Sequence, residues 1–455
     1  MNATRIPNRW LVVAGAILIQ LALGAMYSWS VFTKILTDPA GIYRFSATQT
    51  AWIFSACLVT FALVMVMAGR WQARTSPRFL STLGGLLLGL GFVLGGLFGS
   101  SFWGQLLFIG MVAGAGIGLA YVVPIAVGVK WFPDKKGMIT GLAVAGFGFG
   151  ATIWVKLAGS WFGGLLNQAE VLGLPPVQSV FFIYGIVFAI LVFLGSLVMV
   201  NPPEGYKPAG WEPVGATAAV AVSEGFTPEK MLRSPQFFAI WAVFAFSAIA
   251  GLMVIYCIQL FGMDALEFNG VEDAVLITGT AMAWYAIFNG LGRIIWGMIS
   301  DRIGRKQAIV AMSLFQGLVM LSLYHGFVTF GLSAGLIIGA SLVGFNYGGI
   351  FALFPAITAD FFGNKQVGRN YGWVFTAYGV AGITGPLLAG VFKDAAAIGA
   401  SPKIWMTPFI IAGVACLLGA LIMLLTHAPD SKPERRPGRF GNRSALFGRG
   451  GSSPA

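Results

Sequence analysis

The sequence predicts an all-α membrane protein in which twelve transmembrane helices form two six-helix bundles. Apolar residues make up 57% of the 455-residue chain and charged residues only 10%, and the mean hydropathy is +0.82. Soluble globular domains are far less apolar than this. The apolar residues fall into runs of about 20, the length that a helix needs to cross a hydrocarbon core of roughly 30 Å. A proline-rich interval divides the runs into two sets of six.

The runs can be taken in order along the chain. The first begins at Trp10, is long enough to span, and lacks a small-residue cleavage site, so we interpret it as a membrane helix and not as a signal peptide. The others follow at intervals too short to hold a soluble domain. The predicted spans are 10–32, 50–68, 79–99, 103–126, 138–160, 179–200, 237–260, 275–297, 307–327, 332–355, 372–392 and 404–426.

The domain boundaries follow from composition. Residues 1–200 form the predicted N-terminal six-helix bundle and residues 234–427 the C-terminal one. Residues 201–233 form a cytoplasmic linker, because their motif NPPEGYKPAGWEP holds too many prolines for a regular helix. Residues 428–455 are basic and glycine-rich, which is typical of a disordered tail.

Basic residues set the orientation. With the N-terminus inside, the outer loops carry only Lys34, Arg44, Lys393 and Lys403, and the other membrane-flanking Lys and Arg residues are cytoplasmic. Both termini are therefore predicted to be cytoplasmic, in a multi-pass protein of the cell (inner) membrane. This bias and the tail account for most of the net charge of +12, so the lipid bilayer is the expected partner and nucleic acid is not. We expect a monomer.

Nothing in the sequence indicates catalysis or a cofactor. Cys57, Cys257 and Cys416 stand far apart inside apolar runs, which is typical of buried hydrophobic residues. His325 and His427 lie near membrane edges without partner residues nearby in sequence. The pattern predicts no metal, no cofactor and no enzyme activity.

Arg293 is the exceptional residue of the membrane runs. It lies eight residues before Asp301, which places it roughly 12 Å inside the cytoplasmic boundary. A guanidinium at this depth costs at least about 2.5 to 3.5 kcal/mol, so its retention indicates a use. Asn289, at i−4, lies on the same helix face. A charged fork beside an amide suits a carboxylate, and we predict an anion site here.

Several motifs carry a family resemblance. GMISDRIGRK (297–306) resembles the loop between the eighth and ninth spans of the major facilitator superfamily. FNGLGRIIWG, KWFPDKKG, GRNYG and GAMYSW resemble the oxalate/formate antiporter family and, by extension, prokaryotic monocarboxylate transporters. The resemblance extends from Trp10 to about Thr426. It implies secondary transport of small organic anions by alternating access around a central site.

The resemblance also implies an aromatic box around the anion, because the family has aromatic residues lining the cavity at positions 27, 121 and 347. Phenols donate hydrogen bonds and rings exclude water. The expected substrate-binding residues, besides Arg293 and Asn289, are Tyr27, Trp29, Tyr121, Tyr347, Phe351 and Tyr378.

One departure from the family predicts the substrate. Oxalate-exchanging members carry a lysine in the eleventh span at the position of Tyr378, where it confronts the second carboxylate of a dianion. A dicarboxylate would here bring two charges to one arginine, which is costly in a dry site. We therefore predict a monocarboxylate such as formate, lactate or pyruvate. The alternatives are an oxalate/formate-type dicarboxylate antiporter, a drug exporter on the same fold, and a sensor that binds anions without transport.

Other charged residues predict gating and access. Asp301, Arg302 and Arg305 stand at a helix end, where we expect them to pair with helix termini of the opposite bundle and close the cytoplasmic side. Lys156 lies near the outer surface, where it either snorkels to water or attracts anions. No carboxylate lies deep in a span, which favours exchange or a proton carried with the anion. Glu272 and Asp273, at the outer start of span eight, are the candidate coupling carboxylates.

Overall fold

The computed structural model describes residues 8–72, 74–132, 136–203, 206–208, 226–328, 333–363, 366–395 and 402–429. Every long element in these ranges is a helix. The central part of the predicted linker and nearly all of the predicted tail lie outside the described residues.

Twelve long helices, named α1 to α12, form the described fold, as predicted. Eleven are long and apolar enough to cross a membrane, and the twelfth, α9, has 24 residues. We call α1 to α6 the N-terminal half and α7 to α12 the C-terminal half. The bounds are Arg9–Leu36, Ala47–Trp71, Pro77–Phe98, Phe102–Gly128, Lys136–Gly159, Pro176–Ser196, Pro235–Phe268, Ala274–Ile303, Arg305–Val328, Ser333–Phe362, Val367–Ala395 and Lys403–Leu425.

Helix α7 differs most from its predicted span of 237–260, because it continues to Phe268. The predicted span ends at residue 260, before the first charged residue that follows it, Asp264. Asp264 is instead accommodated inside the C-terminal half, where Lys393 and Trp405 bind its carboxylate. A paired carboxylate does not end a helix, so the added turns project from the predicted outer end of the bundle.

Local capping explains where several helices begin. Ser46 and Gln49 form a reciprocal capping box at the start of α2. Ser76 and Ser234 accept hydrogen bonds from the first turns of α3 and α7, and each of these helices has proline at its first position.

Three helices depart from α geometry within the membrane region. Helix α1 contains a 3₁₀ turn over Gly24–Ser28, α4 contains a π segment over Leu106–Ala113, and α11 is interrupted at Phe375. Tyr27 lies in the first of these segments, and Tyr378 donates its backbone N–H to the Phe375 carbonyl at 2.9 Å. Two interruptions therefore lie beside tyrosines of the predicted site.

Glycines set the closest helix contacts. A methyl group at Gly292 of α8 would overlap the carbonyl oxygen of Phe345 in α10, and one at Gly348 would overlap that of Asn289. Between the halves, α5 packs on α8 and α2 packs on α11. A methyl group at Gly148 of α5 would lie only 2.7 Å from Asn289 Oδ1. The helix bearing Arg293 is thus held between α5 and α10 by positions where only hydrogen fits.

Replacing Gly292 with alanine should destabilise the protein, because the new methyl group forces α8 and α10 apart. Overpacking of this kind typically costs about 1 to 3 kcal/mol. Thermal unfolding in detergent measures the effect. Gly297→Ala is the matched control on the same helix, because its methyl group would meet Ala352 at an ordinary 3.6 Å. Equal melting temperatures for the two variants would contradict the tight packing of α8 on α10.

Candidate functional site

Arg293 is completely buried in the middle of α8. Its Nε donates to Asn289 Oδ1 at 3.1 Å, and its Nη1 donates to the Val144 carbonyl of α5 at 2.9 Å. The second contact crosses between the two halves. Nη2 of Arg293 and Nδ2 of Asn289 are buried and have no hydrogen-bond partner in the described part of the chain. Arg293 and Asn289 therefore each hold one buried donor that has no partner among the described residues.

Two phenylalanine rings flank the guanidinium. Its central carbon lies 4.2 Å from the ring centre of Phe351 and 5.4 Å from that of Phe147. These distances are within the range of cation–π attraction, which strengthens when water is excluded. Among the described residues, no carboxylate lies within ion-pair distance of Arg293. Its positive charge is thus stabilised by dipoles and rings and not by a counter-anion.

Three tyrosine hydroxyls meet beside this arginine. The Tyr27 oxygen lies 2.9 Å from the Tyr347 oxygen and 2.9 Å from that of Tyr378, and the last two are 3.2 Å apart. We call these residues the tyrosine triad. It joins α1 of the N-terminal half to α10 and α11 of the C-terminal half. Because each phenol can donate to the next, the triad satisfies its own hydroxyls without a ligand.

Further rings enclose the triad. Phe147 contacts Tyr27 at 4.9 Å and Tyr121 at 5.6 Å between ring centres, and Phe351 contacts Tyr347 at 5.3 Å and Tyr378 at 5.6 Å. All are buried, so the site is closed toward both membrane faces. We call the following set the central cluster: Tyr27, Phe61, Tyr121, Phe147, Tyr347, Phe351, Phe375 and Tyr378.

The structure brings most of the predicted site residues together. They are Arg293, Asn289, Tyr27, Tyr121, Tyr347, Phe351 and Tyr378. Trp29 does not join them. Its indole N–H donates to the Thr50 carbonyl at 3.2 Å and its ring stacks on Phe181 at 6.2 Å, so it packs inside the N-terminal half. Trp29 directly follows the 3₁₀ turn of α1, and the turn places the Trp29 side chain on a different face of the helix from Tyr27.

Three members of the central cluster are not among the site residues predicted from the sequence. They are Phe61, Phe147 and Phe375. The chain contains 38 phenylalanines, mostly in apolar runs, and nothing in their spacing marks these three. Only the position of Phe147 on the face of α5 opposite Arg293 reveals its role.

The predicted cytoplasmic gate has different partners from those expected. Arg305 pairs with Asp301 one turn away, and its Nε lies 3.8 Å from Asp360 Oδ2 of α10. Arg302 is exposed. These pairs lie within the C-terminal half, which corrects the expectation that they bind helix termini of the opposite half. The i, i+4 spacing allows the local pair to form on one helix face at little cost in conformational entropy.

A cavity of about 640 Å³ opens at the predicted outer end, between α1, α5, α7 and α8. Lys34, Lys156, Glu267 and Asp273 contribute its charged lining. Lys156 Nζ lies 3.4 Å from Thr280 Oγ1 and has no carboxylate within ion-pair distance in the described residues. Lys156 therefore lines the cavity at the predicted outer end.

Only one of the two coupling candidates lines this cavity. Asp273 lines it and adopts a left-handed backbone, with φ of 59°, just before α8 begins. Glu272 is not among the lining residues. Neither carboxylate reaches the central cluster.

Comparison with known proteins identifies the family. The sequence profile described as Major Facilitator Superfamily matches residues 10–283 and 273–450. The chain belongs to the major facilitator superfamily. This membership confirms the predicted superfamily and the twelve-helix fold, and the protein is accordingly a multi-pass membrane transporter.

Curated relatives within the superfamily share moderate similarity with the chain. The Oxalate:formate antiporter of Oxalobacter formigenes is 29% identical over 432 residues, covering 94% of each chain. The Uncharacterized MFS-type transporter YhjX of Escherichia coli K12 is 27% identical, covering 83% of this chain and 86% of its own. Apicoplast pyruvate carrier 1 of Toxoplasma gondii is 23% identical, covering 82% of each. These matches support the predicted resemblance to the oxalate/formate antiporter family.

A solved structure confirms the fold of this superfamily member. A bacterial homologue of the human lysosomal transporter Spinster, crystallised in an inward-facing and unoccupied conformation, aligns with a TM-score of 0.66. The alignment covers 92% of this chain and 97% of the other at 16% sequence identity. At this identity the likeness concerns the fold alone.

Replacing Tyr27 with phenylalanine should destabilise the closed conformation, because its hydroxyl makes two of the three contacts in the tyrosine triad. Each buried hydrogen bond contributes about 1 kcal/mol. The melting temperature in detergent should therefore fall. Tyr43→Phe is the control, since that hydroxyl makes a single 3.3 Å bond, to Gln178 within the N-terminal half. A smaller loss for Tyr27→Phe than for Tyr43→Phe would contradict the triad's role in joining the halves.

Proposed function

We propose that this protein is a secondary active transporter of a small monocarboxylate such as formate, lactate or pyruvate. It acts as a monomer in the cell membrane with both termini in the cytoplasm, by exchange or by proton-linked movement of the anion. The observation that carries the proposal is the state of Arg293. It is the only charged side chain that is buried in the described part of the chain, and its Nη2 has no partner there.

The unused donors match one carboxylate. Arg293 Nη2 and Asn289 Nδ2 come from adjacent turns of α8, whose residues are linked by the 3.1 Å hydrogen bond between Nε and Oδ1. A guanidinium and an amide can each donate to one oxygen of a carboxylate. The surrounding rings keep water out, which strengthens the attraction between the two charges. The bound anion supplies the counter-charge that the site otherwise lacks.

The part of the site opposite Arg293 favours a substrate that carries a single charge. Opposite Arg293, the tyrosine triad offers neutral hydroxyls where an oxalate-exchanging protein would need another cation. A second carboxylate would be desolvated without a charged partner, at a cost of several kcal/mol. The named activities of the relatives, oxalate:formate antiport and pyruvate carriage, support small carboxylates as the substrate class.

The position of the site supports alternating access. Arg293 of the C-terminal half donates to Val144 of the N-terminal half, and Tyr27 bonds to two tyrosines of the C-terminal half. Both contacts must change when the halves rock apart on either side. Binding of an anion at Arg293 thus acts on the interface that has to move.

Access and gating are part of the proposal. Lys156, without a carboxylate partner among the described residues of the outer cavity, attracts the anion before it reaches Arg293. Glu272 and Asp273 remain the candidates for proton coupling. Asp301, Arg302 and Arg305 form the proposed cytoplasmic gate. Arg305 links the ends of α8, α9 and α10 through Asp301 and Asp360, and Arg302 is exposed next to Asp301.

Uptake of radiolabelled formate, lactate, pyruvate and oxalate into proteoliposomes tests the function. Arg293→Gln should abolish uptake of the monocarboxylates, because the amide keeps hydrogen bonding but removes the charge. Arg293→Lys should retain weak uptake with a raised KM, since lysine keeps the charge without the fork. Arg74→Gln is the control, because Arg74 carries the same charge but is exposed and lies outside the proposed site and gate. Strong oxalate exchange by the unmodified protein, or full activity of Arg293→Gln, would refute the proposal.

Replacing Tyr378 with lysine should shift selectivity toward dicarboxylates, because a second cation then faces Arg293 across the site. Monocarboxylate uptake should fall and oxalate uptake should rise from background. Tyr378→Phe is the control that removes the hydroxyl without adding charge, and it should lower uptake without any gain for oxalate. A loss of all uptake in a well-folded Tyr378→Lys protein would contradict the placement of the second charge.

A further inference from the structure

The end of α11 carries two adjacent charged residues, one of which contacts its own half and the other the opposite half. Lys393 binds both carboxylate oxygens of Asp264 in α7, at 2.6 and 2.7 Å, and the indole of Trp405 donates to the same carboxylate at 2.9 Å. These three residues all belong to the C-terminal half. They fix the predicted outer end of α11 to its own half. The neighbouring residue, Asp394, points the other way.

Asp394 reaches the first turn of α2 in the N-terminal half. Its Oδ1 accepts the backbone N–H of Ala47 and its Oδ2 accepts that of Thr48, each at 2.8 Å. The capping box of α2 leaves these two donors unused, because Ser46 takes the N–H of Gln49. A carboxylate at a helix N-terminus also interacts favourably with the helix dipole. The cap of α2 is therefore completed by the opposite half.

A second residue of the C-terminal half holds the same turn. The hydroxyl of Tyr256 in α7 hydrogen-bonds to the Ala47 carbonyl and lies 3.0 Å from Thr50 Oγ1. Below this turn, Gly390 of α11 allows a close approach, since a methyl group there would lie 3.1 Å from the Ala51 side chain. The first turn of α2 is thus contacted by both α7 and α11 of the C-terminal half.

We propose that Asp394 is the outer gate of this transporter, closing the pathway by capping α2 across the two halves. The inference rests on the proposed alternating access and specifies which contact must break on the outer side. Asp394 is exposed, so water can replace it on the two N–H groups when the halves separate. That exchange makes the contact reversible. The anchor at Lys393 ensures that α11 moves with the C-terminal half when the cap opens.

Cysteine accessibility tests the gate without any substrate, so its failure is distinguishable from failure of the carboxylate site. Ala51 is fully buried under the cap, and Ala51→Cys serves as the reporter in the full-length protein. Cells or right-side-out vesicles are treated with a membrane-impermeant maleimide, and the labelling rate is measured. The native cysteines are buried, so the parent chain without the reporter gives the background.

Removing the cap should raise the rate at which the Ala51→Cys reporter is labelled from the outside. Asp394→Ala should increase it by a factor of roughly 2 to 30, the change in population that loss of one helix cap produces. Asp394→Asn, which keeps one acceptor, should give a smaller increase. Asp38→Asn is the control, because Asp38 caps only its own outer turn through the Ala40 N–H at 2.9 Å.

Tyr256→Phe provides an independent variant that leaves Asp394 in place and should also speed labelling. Unchanged labelling in both Asp394→Ala and Tyr256→Phe would overturn the proposal. So would an equal increase in Asp38→Asn, since this would show a general effect of outer charge. Faster labelling only from the cytoplasmic side of inverted vesicles would place the opening at the wrong end and would also overturn it.

Discussion

The centre of this protein depends on one constraint, which is the burial of a guanidinium where the described residues provide no carboxylate to neutralise it. Arg293 is stabilised by one amide oxygen, one backbone carbonyl and two aromatic rings, and these come from both halves. Neutral groups can hold the charge but cannot cancel it. In the proposed function, this unneutralised charge attracts the anion and couples its binding to the contact between the halves.

Close glycine contacts in α8 and α10 and irregular turns in α1 and α11 position the residues around Arg293. Glycines at positions 292 and 348 bring α8 and α10 into backbone contact, so that Arg293 has little room to leave the aromatic cluster. Irregular turns in α1 and α11 lie beside Tyr27 and Tyr378 and direct their hydroxyls to one point. Regular helices would satisfy their own backbone more simply. The irregularity is found where the two halves share the site.

The contacts that hold the two halves together differ between the centre of the protein and its predicted outer end. At the centre, the tyrosine triad and the Arg293–Val144 contact join the halves in a dry environment. At the predicted outer end, Asp394 joins them in contact with water through the first turn of α2. A buried contact opens only when something replaces it, whereas an exposed one exchanges readily with solvent. This division suits a carrier whose substrate acts at the centre and whose entrance must open repeatedly.

Hydropathy alone determined the twelve helices, because the bilayer requires each span to be long and apolar. Arg293 could be singled out because it is a charged residue deep within an apolar run, and Asn289 because it lies one turn away. The family resemblance added the tyrosines. Only the tertiary structure decided that Trp29 packs elsewhere, that Phe147 flanks the guanidinium, and that Arg305 pairs within its own half. Asp394 lies 347 and 346 residues from Ala47 and Thr48, the α2 residues that it caps, so no local pattern relates them. Such contacts depend on how the helices face one another across the interface, and helix periodicity fixes a face without naming its partner.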